Sequence, residues 1–281
     1  MVGGEKSKSG PEIKRVWMTF LYKEKFGIFS DEFKLIPAPN FMLRRNAILD
    51  AISDLKPGKL IEIGFGTGVC TYEFYRRGYE CTGYELEHKS IEFANALFNT
   101  TKEKIIDFRG EIFEKDYGSY DYLAVLEVLE HIINDKEALE SWSKLLKSDG
   151  RIIVSVPAKM KKYSYVDKVA GHIRRYERDE LVKLLESSGF KIETLFCYGY
   201  PFSNIFIPLS NLLYRRMQYN KYFKHMNDEE KTRISGYLRL DDFRFRKVFP
   251  YNLIYLFSVI QRLFYKTDLS LGYVVVAQKK H

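Results

Sequence analysis

The stretch KLIEIGFGTGVC, from Lys59 to Cys70, decides the fold of this chain. Its first half is a short apolar run, which is typical of a buried strand, and three glycines follow at alternate positions, Gly64, Gly66 and Gly68. Glycine permits a sharp turn and lets the backbone approach a ligand where a Cβ atom would collide. The acid Glu62 lies two residues before the first glycine. This spacing differs from the G-x-G-x-x-G of dinucleotide-binding loops and favours a nucleoside with a charged amino-acid tail.

Outward from this loop, strand-like runs alternate with helical stretches. Strands are predicted at 59–63, 80–84, 105–108, 121–126, 151–156, 191–198 and 272–277, and helices at 88–99, 134–147 and 178–188. Another helix is predicted from Asn40, as its N-cap, to Leu55. Regular alternation predicts an α/β fold with a parallel sheet and helices on both faces. The ligand of such a sheet is expected at the carboxyl ends of the strands.

Three parts of the chain are predicted. Residues 1–39 form an N-terminal cap segment, in which Pro11 to Ile36 is interpreted as helical, and residues 40–200 with 271–281 form the main domain. Residues 201–270 form an aromatic, basic, helical insertion before the last strand, which we interpret as a lid or substrate element. The apolar residues that recur there at helical spacing are Leu253, Leu256, Phe257, Ile260, Leu263 and Phe264.

The charge is unevenly distributed along the 281 residues. Residues 1–200 carry 31 Lys and Arg against 31 Asp and Glu, whereas residues 201–281 carry 14 against 6, so the net charge of +8 lies in the last part. Three interpretations of this region remain open. The segment 247–266 packs on the domain, contacts a membrane peripherally, or presents a basic face to RNA; nucleic acid is the less favoured partner because no RNA-binding module is recognised.

The cysteines and the termini bear on the cellular compartment. Three cysteines without metal-ligand spacing are typical of reduced thiols. The polar N-terminus does not resemble a signal peptide, and no apolar stretch is long enough to span a bilayer. A cytoplasmic protein is therefore expected.

Six segments carry a family resemblance. In sequence order they are LIEIGFGTG, TGYELE, GEIFEKDYGSYD, YLAVLEVLEHI, LLKSDGRIIVSVP and GHIRRYERDELVKLLESSGF. Together they resemble the class I S-adenosylmethionine-dependent methyltransferases, nearest in pattern to the ubiquinone-pathway O-methyltransferases. The resemblance covers roughly Asn40 to Tyr200 and the final strand. It implies a Rossmann-like, seven-stranded sheet whose last strand runs antiparallel, with S-adenosylmethionine as the methyl donor.

The resemblance also implies which residues bind the cofactor. The glycine loop receives the methionine portion at a helix N-terminus, Glu85 accepts hydrogen bonds from the ribose hydroxyls, and the residues after the third strand meet the adenine. Arg44, or the adjacent Arg45, is implied as a cofactor-binding arginine, and a surface charge is the alternative. The implied cofactor-binding residues are Arg44, Glu62, Gly64, Gly66, Gly68, Glu85, Glu111, Ile112 and Leu126.

The segment after the fourth predicted strand brings carboxylates and a histidine together. Glu127, Glu130 and His131 are spaced so that they share one face of a predicted helix. With His172 from a later loop they form a set suited to a divalent ion, and in the family this pattern is associated with Mg²⁺ or Mn²⁺. The alternative is that no metal binds, and that the acids serve the cofactor or the helix N-terminus.

Methyl transfer to a protonated oxygen or nitrogen requires a base with a pKa near neutrality, which histidine provides. His131 and His172 are therefore the candidate catalytic residues, with purely structural histidines as the alternative. Tyr176, after two arginines, is a candidate substrate-binding residue at the mouth of the site, although such runs are usually solvated.

The function expected from the sequence is O-methylation of a hydrophobic or aromatic small molecule by in-line transfer from S-adenosylmethionine. Three alternatives are an RNA methyltransferase that uses the basic C-terminal region, a nicotinamide oxidoreductase, and a non-catalytic cofactor-binding regulator. The glycine spacing disfavours the oxidoreductase. The acceptor, the pathway and the oligomeric state are not determined by the sequence.

Overall fold

The structure, a computed structural model, describes residues 20–30, 32–33, 35–98, 106–204, 251–269 and 271–280. The strands are β1 Leu21–Lys23, β2 Gly27–Phe29, β3 Lys59–Ile63, β4 Glu80–Tyr84, β5 Asp107–Arg109, β6 Tyr120–Leu126, β7 Leu146–Pro157, β8 Phe190–Tyr198 and β9 Gly272–Lys279. The α-helices are α1 Pro39–Ala51, α2 Val69–Tyr75, α3 His88–Phe98, α4 Asp135–Ser143, α5 Tyr165–Ala170, α6 Arg178–Ser187 and α7 Tyr251–Ile260. Within these ranges, no helix has both the length and the apolarity needed to cross a membrane.

The main sheet has seven strands in the order β5-β4-β3-β6-β7-β9-β8. β3, β4, β5, β6 and β7 pair in parallel, whereas β9 lies antiparallel between β7 and β8. The predicted Rossmann-like sheet with an antiparallel last strand is confirmed. Chain order reverses between β3 and β6, and ligands of open α/β sheets bind in the crevice at such a switch point.

Two apolar clusters cover the two faces of this sheet. Along β3, Leu60 belongs to one cluster, while Ile61 and Ile63 belong to the other. Side chains alternate across a strand, so a strand buried on both faces reads as a continuous apolar run. This is the physical reason why the run before the glycine loop is apolar.

The N-terminal segment differs from the prediction. In the described residues up to Ile36, β1 and β2 form an antiparallel hairpin instead of a helix. Tyr22 points inward and donates a hydrogen bond to Glu73 at 2.9 Å, while Leu21 is exposed. Gly27, with φ of 92°, allows the chain to reverse. The interpretation of residues 11–19 lies outside the described residues.

Helix α1 begins earlier than predicted. Pro39 occupies its first turn and Ala38 is the N-cap, so the prediction of Asn40 as the cap is wrong. Proline is favoured in a first turn because its fixed φ suits a helix and its missing N–H is not needed there. The C-terminal end lies at Ala51, before the predicted stop.

Helix α7 packs on α1 through a different face from the predicted apolar stripe. Its buried residues are Ile254 and Ser258, whereas Leu253, Leu256 and Leu263 are 40%, 52% and 80% exposed. The three leucines of the predicted apolar stripe are therefore turned outward, whereas Phe257, Ile260 and Phe264 are half-buried. The rest of the predicted insertion, residues 205–250, lies outside the described residues, and the three predicted parts of the chain remain predictions.

Candidate active site

The glycine loop connects β3 to α2 at the carboxyl edge of the sheet. Gly64 and Gly66 have φ of 70° and 56°, in the left-handed region that favours glycine. A Cβ on Gly64 would lie 2.6 Å from Val128, whereas a Cβ on Gly66 would meet nothing within 4 Å. Gly64 thus permits close packing of two loops, and Gly66 faces open space. Gly68, also at positive φ, is the N-cap of α2.

Glu85 directly follows β4 and spans two adjacent loops. One carboxylate oxygen accepts a hydrogen bond from the backbone N–H of Gly66 at 3.0 Å, and the other accepts one from Leu86 at 2.8 Å. These contacts hold the carboxylate beside the open side of the glycine loop. Gly66 and Glu85 are 19 residues apart in sequence, but they lie close in space because β3 and β4 are parallel neighbours and both residues follow the ends of these strands.

Glu62 is buried beneath the loop. Its side chain accepts a hydrogen bond from the Thr71 hydroxyl at 2.6 Å. Burial raises the pKa of Glu62 to about 8, although Thr71 and the nearby Arg44 oppose this shift. Glu62 therefore holds the strand–helix junction together and does not face open space.

The two candidate arginines have different environments. Arg45 is bound bidentately by Glu73, at 2.7 and 2.8 Å, and contacts Tyr22. Arg44 is buried and pairs with Glu127 at 3.0 Å. Burial opposes its charge, but the Glu127 carboxylate keeps the pKa of Arg44 above its ordinary value. Arg44 Nε has no hydrogen-bond partner among the described residues, so Arg44 retains a free donor at the site.

The segment from Glu127 to His131 is not the α-helix that the spacing predicted. Glu127 has φ of 57°, and a single 3₁₀ turn, Leu129–His131, follows it. The three side chains therefore do not share a helical face. A left-handed backbone at a non-glycine residue is strained and is frequent at functional sites. It directs Glu127 toward Arg44 and Ser155, whose hydroxyl lies 3.2 Å away.

Three of the four predicted metal ligands converge. Glu130, His131 and His172 each offer one ligand atom, and these atoms lie within 4.8 Å of one another. Glu130 is fully buried and His172 is 9% exposed. His172 Nε2 lies 3.7 Å from a Glu130 oxygen. Glu127 is outside this group, because it is engaged by Arg44.

Sequence reasoning missed Asp167, which contacts His172. Asp167 Oδ1 lies 2.9 Å from His172 Nδ1, and Arg175 donates to both carboxylate oxygens, at 2.8 and 3.1 Å. Burial alone would raise the pKa of Asp167, but these hydrogen bonds outweigh burial and lower the pKa to about 2. Ser164 with Asp167 three residues later is a capping box in the structure, and the S-x-x-D pattern was a signal in the sequence.

The remaining predicted residues, except Tyr176, lie at the carboxyl edge of the main sheet. Leu126 ends β6 and is 7% exposed, and Ile112 is half-buried beside an exposed Glu111. Tyr176 is fully buried, and its hydroxyl donates to Asp135 at 2.8 Å and also contacts the Leu129 carbonyl. A substrate contact for Tyr176 is thus not supported, because its side chain supports the 3₁₀ turn from the core.

The fold is Rossmann-like, and the glycine loop and Glu85 lie at the switch point of its sheet. A family model described as a methyltransferase domain matches residues 41–195. The chain therefore belongs to this methyltransferase family.

Named relatives agree with this family, and a solved structure agrees with the fold. A ubiquinone biosynthesis O-methyltransferase of Vibrio cholerae is 28% identical over 116 residues, which cover 40% of this chain and 47% of the relative. The same-named protein of Pelagibacter ubique is 30% identical over 167 residues, covering 53% and 68%. The chain spans about half the length of the first of these relatives. An S-adenosylmethionine-dependent methyltransferase structure from Mesorhizobium loti has a TM-score of 0.51 at 14% identity, covering 86% and 98%.

Proposed function

We propose that this chain is an S-adenosylmethionine-dependent methyltransferase that methylates an oxygen of a hydrophobic or aromatic small molecule. The observation that carries the proposal is the contact between Glu85 and Gly66, beside the open side of the glycine loop. The names of the relatives support oxygen as the acceptor atom. The high content of Tyr and Phe, 21 each, is consistent with an apolar acceptor.

The residues at the strand ends fit this cofactor chemically. Gly66 leaves space that any side chain would fill, Glu85 offers carboxylate oxygens for ribose hydroxyls, and Arg44 has a free buried donor for a carboxylate. S-adenosylmethionine supplies a methyl group already activated by its sulfonium. The protein therefore contributes mainly alignment and exclusion of water.

Proton removal from the acceptor is assigned to His131 or His172. Both imidazoles lie beside the buried Glu130, on the carboxyl side of β6. A neutral imidazole can accept the proton that the hydroxyl loses as its oxygen attacks. The ring-centroid distance of 4.9 Å between the two histidines means that one acceptor hydroxyl can approach both.

A divalent metal is the second part of the proposal. Two imidazole nitrogens and one carboxylate oxygen form a donor set that binds first-row divalent ions and leaves coordination positions open. The imidazoles favour Mn²⁺ over Mg²⁺, because Mg²⁺ prefers oxygen ligands. Glu130, His131 and His172 would hold the ion, which would polarise a bound acceptor oxygen and ease loss of its proton to water. With the ion bound, the two histidines act as ligands, and their role as the base applies to the metal-free site.

Peripheral membrane contact is the third part. Leu253, Leu256 and Leu263 face outward on α7 and its extension, and the exposed Arg262 and Lys266 lie near them in sequence. An apolar stripe with basic neighbours suits an anionic lipid surface and a prenylated acceptor dissolved in it. Residues 247–250 of the proposed segment lie outside the described residues.

Transfer of a labelled methyl group tests the proposed reaction. Purified protein is incubated with methyl-labelled S-adenosylmethionine and a panel of phenols, catechols and matching anilines, each with and without an apolar tail. We expect labelled methyl ethers, more product from tailed acceptors, and loss of turnover in His131→Ala and His172→Ala. Activity that survives exhaustive chelation would refute the metal, and labelling of nitrogen acceptors alone would refute O-methylation.

A further inference from the structure

The short helix α5 and the residues after it contact both histidines of the Glu130 cluster. His131 Nδ1 lies 3.1 Å from the carbonyl oxygen of Gly171, the C-cap of α5. A carbonyl oxygen can only accept a hydrogen bond. His131 Nδ1 therefore carries a hydrogen, and in the neutral ring Nε2 bears the lone pair.

His172 has the same arrangement with a stronger partner. Its Nδ1 lies 2.9 Å from Oδ1 of Asp167, which is 1% exposed. That oxygen also accepts from Arg175 Nε at 2.8 Å, and Oδ2 accepts from the Ser164 backbone N–H at 2.7 Å. All the other partners of this carboxylate are donors. Because an ionised carboxylate can only accept, His172 Nδ1 is also a donor, and its Nε2 lies on the side of Glu130.

We propose that Asp167 is a positioning residue that fixes His172 as the Nδ1–H tautomer, with its Nε2 lone pair directed at the Glu130 cluster. The Gly171 carbonyl performs the same task for His131. Two imidazoles fixed in this way are ready to bind a metal ion, since carboxylates and carbonyls behind metal-binding histidines commonly set the tautomer. The metal-binding consequence depends on the proposed function, whereas the tautomer does not.

The local fold explains why Asp167 can hold this position. It is the third residue of α5 and closes a capping box with Ser164. Arg175 anchors it from the other side and also donates to the Ala158 carbonyl, just after β7, at 3.2 Å. Gly171, with φ of 77°, turns the chain so that His172 N–H returns to the Asp167 carbonyl at 2.9 Å. The carboxylate is thereby fixed relative to the sheet.

The opposing account is that packing alone orients the rings and that Asp167 only stabilises α5. The chain offers a matched control for this account. Asp116 is also a buried capping-box residue with an arginine partner, Arg109 at 2.9 Å, but it contacts no histidine in the described residues. Asp116→Asn and Asp167→Asn therefore remove similar stabilising contacts, and only the second change alters a histidine partner.

Histidine-selective ¹⁵N NMR of the metal-free protein, at mildly alkaline pH, tests the tautomer directly. The chain has five histidines, so assignment by single substitution is feasible. In the wild type we expect Nδ1–H for His131 and His172. In Asp167→Asn we expect His172 to shift toward Nε2–H, while His131 stays unchanged because its partner is a backbone carbonyl. An Nε2–H tautomer of His172 in the wild type would overturn the proposal even if the variant does not fold.

Calorimetric titration with Mn²⁺ tests the consequence for metal binding. We expect Asp167→Asn to weaken Mn²⁺ binding about 10- to 100-fold, with Asp116→Asn close to wild type. Equal Mn²⁺ affinity of Asp167→Asn and wild type would contradict the positioning role at the metal site. If the wild type binds no Mn²⁺, the proposed metal is wrong, and the NMR result alone decides the role of Asp167.

Discussion

Arg44 and Arg45 are neighbours in sequence, yet their side chains pair with carboxylates on different elements. Successive residues on a helix point about 100° apart, so one of the two side chains turns toward Glu73 and the other toward Glu127. The sequence left both candidates open. Choosing between them required the position of α2, because Glu73 lies on that helix and binds Arg45.

The buried Glu62 predicts a pH dependence of stability. Its folded-state pKa of about 8 exceeds the ordinary value of 4.5, so the folded protein keeps a proton that the unfolded chain releases. Stability should therefore fall as pH rises between about 4.5 and 8. Glu62→Gln keeps an acceptor for the Thr71 hydroxyl but cannot ionise, so the part of the pH dependence of stability that arises from Glu62 should vanish in this variant.

Urea unfolding of the cofactor-free protein across this pH range provides the measurement. The difference in the free energy of unfolding between Glu62→Gln and wild type should grow with pH, in favour of the variant. The exposed Glu80→Gln serves as control. A difference that is independent of pH would show that Glu62 does not change protonation on folding.

Single residues of the site were predictable to different degrees. The glycines and Glu85 have local signals, because each follows a strand and its spacing is set by the βα unit. The left-handed Glu127 and the contact of Asp167 with His172 were not predicted. The Glu127 conformation accompanies contacts with Arg44 and Ser155, which are distant in sequence. Asp167 and His172 are five residues apart, and their contact depends on the turn at Gly171, which a periodicity does not report.

At the scale of elements, the sequence left open how α7 lies on the domain. Its contact with α1 combines the buried Ile254 with hydrogen bonds between polar side chains. The Asn46 amide donates to the Ser258 hydroxyl at 2.6 Å, and Gln261, fully buried, donates to the Leu43 carbonyl at 2.9 Å. Satisfied buried hydrogen bonds can fix a helix in one orientation. The strands, in contrast, were predicted to within a few residues, except that β7 begins five residues earlier than expected.

Gln261, directly after α7, connects this segment to two other parts of the chain. Besides its contact with α1, it accepts a hydrogen bond from the Gly199 N–H at 2.9 Å. Gln261→Leu should destabilise the protein by about 1–3 kcal/mol, because it leaves buried backbone groups unpaired. Arg262→Ala, which removes an exposed pair with Asp50, should cost less than about 1 kcal/mol. If urea denaturation shows that Gln261→Leu and Arg262→Ala lower the free energy of unfolding equally, the buried hydrogen bonds of Gln261 do not hold α7 in place.

The outward leucines of α7 predict lipid binding. Flotation with vesicles that contain phosphatidylglycerol should carry wild-type protein upward, and Leu256→Glu with Leu263→Glu should abolish this because charge cannot enter the apolar layer. Ile133→Glu, at an equally exposed apolar residue far along the chain, is the control. Wild-type protein that stays at the bottom of the gradient would rule out the proposed membrane contact.

At the scale of the molecule, the sheet order explains why segments so distant in sequence meet. The ends of β3, β4 and β6 lie side by side, and they bring the glycine loop, Glu85 and Glu127 to one edge. Alternation of strands and helices predicted the parallel α/β sheet, whereas the antiparallel last strand was implied only by the family resemblance. The proposed methyl donor is inferred from the residues at the ends of these strands. The identity of the methyl acceptor depends on side chains from outside the sheet.

The most direct test of the central claim is calorimetric titration of the protein with S-adenosylmethionine, S-adenosylhomocysteine and NAD. We expect the first two to bind and NAD not to bind. Glu85→Ala should weaken the binding of S-adenosylmethionine and S-adenosylhomocysteine roughly 10- to 100-fold, since charge-assisted hydrogen bonds are lost. Glu92 is an exposed acid on α3, and Glu92→Ala should bind both as the wild type does. Binding of NAD alone, or unchanged affinity in Glu85→Ala, would contradict the account.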